Sequence, residues 1–159
     1  MRAQASIVPA AQLIAALSAP EHGALHLTRV VVLPEAALHS QSEREAILQQ
    51  AKQYLNSLAD HLREGLLANP IAGLKLSITW SVTVDTDIAA GIIRVAEQGE
   101  DAEGTGVFDS SQVIAMATQG YSGQQQWVMG SIIQRVLHAT RLPLLIVRPP
   151  DMIAKDQPI

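Results

Sequence analysis

Two short apolar runs near the C-terminus, with a glycine-bearing break and a helical stretch between them, constrain this chain more than any other feature. Val113-Ile114-Ala115-Met116-Ala117 forms the first run, and Leu142-Pro143-Leu144-Leu145-Ile146-Val147 the second, stopped by Pro149-Pro150. A continuous run, unlike an alternating one, marks a strand covered on both faces, as parallel strands are. Between them lie Thr118-Gln119-Gly120-Tyr121-Ser122-Gly123, a polar and aromatic passage from Gln124 to Met129, and a helical pattern that opens at Gly130-Ser131 and runs through His138. The expected order is strand, glycine loop, helix, strand.

Glycines at 120 and 123 permit positive φ and let the backbone approach a ligand with no Cβ in the way. Gly130-Ser131 falls where a helix begins. There the first N–H groups lack partners and the positive end of the dipole points outward, which suits an anion such as phosphate. Ser131 can cap that helix or donate its hydroxyl to a phosphate oxygen. The same residues also suit an ordinary strand-to-helix turn, and spacing alone does not choose between the two readings.

The rest of the chain supplies the other layers. Arg2 to Ala19 reads as a helix with a face of small apolar residues, stopped near Pro20. Leu25 to Leu33 reads as a strand closed by Pro34, with His26 and Arg29 at positions expected to reach solvent. A long helix follows, opened by a Ser42-x-x-Glu45 capping box, carrying Leu48, Ala51, Leu55, Leu58, Leu62 and Leu66 on one face and closed by Asn69-Pro70. Leu74 to Val82 alternates apolar and polar residues, as a half-covered strand at a sheet edge does. Asp85-Thr86-Asp87 offers caps for a helix from Ile88 to Ala96. Gly99 to Ser111 is acidic and glycine-bearing and reads as a surface loop. Alternation of this kind predicts an α/β fold: an open parallel sheet with helices on both faces.

Composition narrows the class. The 159 residues are 48% hydrophobic and 16% charged, which suits one packed domain (1–150) with a short tail (151–159). A formal charge of −4 argues against a nucleic-acid surface. The chain contains no cysteine, so no disulfide framework or thiolate chemistry is available. No apolar run approaches the ~20 residues of a membrane span and no signal peptide opens the sequence, so a soluble cytoplasmic protein is expected, with no membrane partner.

The segment from Ile114 to Val147 resembles the universal stress protein family, whose nucleotide-binding members carry Gly-x2-Gly-x9-Gly-[Ser/Thr] after the fourth strand. This chain has Ala117-x2-Gly120-x9-Gly130-Ser131, with alanine at the first glycine position. The resemblance implies a universal-stress (adenine-nucleotide alpha-hydrolase-like) fold of strand order 3-2-1-4-5. It also implies ATP as ligand, with phosphates held around Ala117, Thr118, Gln119, Gly120, Gly123, Gly130 and Ser131, and Val31 or Val32 against the base. It further implies a homodimer through the Leu142–Val147 strand, or pairing with a second domain of a tandem protein. The family's first, central strand and its base-contacting acidic residue have no counterpart from Met1 onward. The sheet is therefore expected to close over that place or to accept a strand from a partner, rather than stay open. The alternative function is a non-catalytic interaction module with a degraded nucleotide site.

Neither catalysis nor a metal site is expected. Gly120 to Ser131 has no lysine for the β- and γ-phosphates, and Gly-x-Ser-x-Gly is absent. The histidines are dispersed, and Asp85 and Asp87 are accounted for as caps.

Overall fold

The frame is two pairs of parallel strands sharing one helix. A computed structural model describes residues 23–68, 76–101, 107–117 and 130–147. The elements are β1 (Gly23–Val31), α1 (Glu35–His39), α2 (Gln41–Ala68), β2 (Leu76–Val84), α3 (Ile88–Gln98), β3 (Glu100–Asp101), β4 (Val107–Phe108), β5 (Ile114–Ala117), α4 (Ser131–Ala139) and β6 (Leu144–Val147). β1 pairs with β2 in parallel from Gly23 opposite Leu76 to Val31 opposite Val84, and β5 pairs with β6 from Ile114 opposite Leu144 to Ala117 opposite Val147. The helix expected over Arg2 to Ala19, and with it the question of a strand before β1, lies outside the described residues, as does the tail.

Each pair has its own core. Leucines at helical spacing on α2 put Leu55, Leu58 and Leu62, with Ala59, against Leu27, Ile78 and Trp80 of the first pair. Around the second pair, Ala89 and Ala96 of α3 and Val136 of α4 enclose Ile114, with Met116 and Leu144 packed against them. Small residues on α3 allow it to reach both pairs. A Cβ on Gly91 would stand 2.9 Å from Val30 Cγ1, so the glycine is what lets α3 lie on β1 while Ala89 and Ala96 face β5.

Among the described residues the strands form three two-stranded sheets, and β1 has no hydrogen-bonded pairing with β5; the expectation that the sheet closes or accepts a further strand falls outside those residues. Several expectations are corrected. The long helix begins at Gln41, and the serine at its start that meets a main-chain N–H is Ser40, whose Oγ accepts from Glu43 at 3.4 Å; Ser42 meets only the Ser40 hydroxyl. The polar side of β2 is buried towards its carboxyl end, where Ser81 and Thr83 are 1% and 3% exposed, while Ser77 near its start is exposed. There Arg94 of α3 donates to the Thr83 hydroxyl, and His26 of β1 meets the hydroxyls of Thr79 and Ser81. His26 does not reach solvent as an edge residue would. It is half-buried, its ring nitrogens meet Thr79 Oγ1 at 2.8 Å and Ser81 Oγ at 2.9 Å, and Phe108 stacks on it at 4.0 Å. Arg29 is exposed, with its guanidinium over the Tyr54 ring. The segment read as a loop from Gly99 contains the antiparallel pair β3–β4, entered through Gly99 at φ 79°.

Candidate functional site

The carboxyl ends of the strands define one edge of the molecule, and both helices that follow a strand there start at it. α3 begins after β2, and α4 begins at Ser131. The carboxylate of Asp87, N-cap of α3, pairs with Arg135 on the second turn of α4. At the other end Glu97 accepts from the Thr140 hydroxyl at 3.1 Å and from the Arg141 N–H at 2.9 Å. The two helices therefore run side by side in the same direction, fastened at both ends. Hydrogen bonding holds both carboxyl groups below their ordinary range: Asp87 chiefly through the Arg135 side chain, Glu97 chiefly through the Arg141 N–H.

The two N-termini differ. That of α3 is occupied by its own chain, because Asp87 Oδ1 accepts from the N–H groups of Ala89 and Ala90 at 3.0 and 3.3 Å. α4 starts from Gly130, which has no side chain to cap with. Its first helical bond is Gln134 N–H to the Gly130 carbonyl at 3.1 Å, so the N–H groups of Ser131, Ile132 and Ile133 precede the ladder. Gly130 has φ −59° and ψ 148°, a conformation open to any residue, and no described atom lies within 4 Å of where its Cβ would be. Neither backbone geometry nor a described neighbour requires glycine there.

Of the other residues assigned from sequence, Ser131 is exposed and Ala117 half-buried at the end of β5. Val31 is 8% exposed, while Val32 is 48% exposed at the carboxyl edge, so of the two Val32 offers its side chain. Thr118, Gln119, Gly120 and Gly123 lie outside the described residues. Sequence reasoning did not single out Arg135, although it lies four residues after Ser131 and so on the same helix face. Nor did it find the Glu97 fastening, whose partners are more than forty residues away and carry no local signal. A groove of about 420 Å³ runs along α3 and α4, lined by Asp85, Asp87, Arg94, Glu97 and Arg135 among others. His26 and Ser81 are within hydrogen-bonding distance, but burial of the serine closes its hydroxyl to any substrate.

No family model and no curated protein matches the sequence. Solved structures share the fold, two of them as follows. Hypothetical protein MJ0577, a structural-genomics test case for structure-based assignment of biochemical function, aligns with a TM-score of 0.61 at 16% identity over 88% of this chain and 85% of that one. Hypothetical protein PH0823 aligns with a TM-score of 0.57 at 18% identity, covering 87% of this chain and 85% of that one. Identities this low speak to fold alone: an α/β fold of parallel strands and helices. No helix among the described residues is long and apolar enough to cross a membrane.

Proposed function

We propose that this chain is a universal-stress-type module that binds a nucleotide, ATP by preference, and does no chemistry on it. The phosphates sit on the main chain between Ala117 and Ser131, with Val32 against the base, and the module acts in a cytoplasmic stress response. The start of α4 carries the reading: three amides ahead of the helical ladder, a glycine that no described neighbour requires, and a serine hydroxyl beside them. α3 supports it by contrast, because its own N-terminus is satisfied by Asp87.

Gly130→Asp tests this. An aspartate at that position caps α4 as Asp87 caps α3, so the variant folds at least as stably as the wild type, and its carboxylate occupies the place of the phosphate. ATP raises the melting temperature of the wild type and leaves the variant's unchanged. Equal ATP-induced shifts in the two proteins refute the assignment.

One observation favours a second reading, an interaction module that pairs with a second copy through β6. Among the described residues β6 is paired only with β5, and its four residues are all apolar. Sedimentation of the wild type against Ile146→Pro tests it: a dimer that the proline leaves intact is not held by this edge.

A further inference from the structure

We propose that Asp85 is the acidic residue that receives the nucleoside of the bound nucleotide, accepting a hydrogen bond from one of its N–H or O–H donors. This rests on the nucleotide-binding reading above and adds a residue that the sequence motif does not contain. The parallel register ends with Val31 opposite Val84, and the Asp85 N–H extends the ladder by donating to the Val31 carbonyl at 3.2 Å. One residue further along each chain, Val32 and Asp85 stand next to each other at the carboxyl edge, an exposed apolar side chain beside a carboxylate. That pair is what a nucleoside asks for, since its faces are apolar and its edge and sugar carry donors.

The carboxylate has capacity left. Oδ1 accepts from the Asp87 N–H at 3.0 Å, whereas Oδ2 is 3.8 Å from Arg94 Nε, too far for a hydrogen bond. An ionised carboxylate offers about four acceptor positions. Asp85 also lines the groove along α3, so it can be reached from outside. Its place is fixed from behind, because its Cβ packs at 3.2 Å from where a Cβ on Gly91 would stand. A ligand with phosphates on α4 and nucleoside at Val32 and Asp85 lies along one edge, its negative end over the amides that precede the helical ladder and its donors over a carboxylate.

The experiment is titration calorimetry of the full chain with ATP and with inorganic tripolyphosphate, for the wild type, Asp85→Asn and Gly130→Asp. Asparagine keeps an oxygen for the Asp87 N–H but loses the charge. Asp85→Asn is expected to weaken ATP at least tenfold, the loss of one charge-assisted hydrogen bond, and to leave tripolyphosphate unchanged. Gly130→Asp weakens both. Unaltered ATP affinity in Asp85→Asn overturns the proposal, and so does a wild type that binds ATP no more tightly than tripolyphosphate, a result that needs no variant to fold. Loss of ATP in Asp85→Asn with none in Gly130→Asp instead refutes the phosphate assignment and keeps Asp85. Deoxy-ATP and ITP tell a ribose donor from the base amine.

Discussion

Acid is the sharpest probe of the polar face that His26 shares with β2. His26 is half-buried between two strand hydroxyls and the Phe108 ring, and burial pushes its pKa down from 6.5 to about 4. The unfolded chain therefore binds a proton on this imidazole at a higher pH than the folded one does, and stability rises with pH wherever that holds. The contribution is complete above pH 6.5, declines as the pH falls through the window, and is lost at about 4. At full strength such a shift corresponds to ~3.4 kcal/mol. The ring is only half-buried, so solvent screening reduces this to about 2 kcal/mol. Urea unfolding followed by circular dichroism between pH 7.5 and 4.5 measures it, with His26→Gln as control, since glutamine keeps a donor and an acceptor but does not titrate. The wild type should lose about 2 kcal/mol more than the variant over that range. Parallel stability curves for the two proteins would show that His26 gains its proton in place at no cost, and would refute the account of this face.

Other predictions address the junctions of α3. Gly91→Ala sets a methyl group against Val30 and should lower stability by about 1 kcal/mol, the overpacking exceeding the gain in helix propensity; a melting temperature lower by about 2–4 °C records it. Asp87→Ala removes both the cap of α3 and the partner of Arg135, whereas Asp87→Asn removes only the charge. The alanine variant should melt below the asparagine variant, and equal melting temperatures would deny the cap its role.

Much of this architecture was legible in the sequence where local chemistry decides it. The continuous runs at Ile114–Ala117 and Leu144–Val147 became paired parallel strands, Asp87 became an N-cap, and Gly130-Ser131 became the start of a helix, each within a residue or two. What stayed hidden depends on distant partners. The alternation of Ser77, Thr79, Ser81 and Thr83 suggests a wet face, because sequence alone gives no sign that His26 will bridge two of its hydroxyls or that Arg94 will reach a third. In the same way, Arg135 on a helical surface looks like solvated charge until Asp87, 48 residues earlier, is found beside it. The candidate site divides along that line. Gly130 is readable as a helix start, while the role proposed for Asp85 depends on a strand register linking residues more than fifty apart.

Arg63 has a consequence for growth by strand addition. From α2 it donates to the Ile78 carbonyl at 3.0 Å, occupying an acceptor on β2, which among the described residues pairs only with β1. An edge obstructed in this way is a poor template for another chain. Pairing at the outer edge of β6, the contact proposed above, would instead bring two molecules together about a twofold axis, each covering the other's edge.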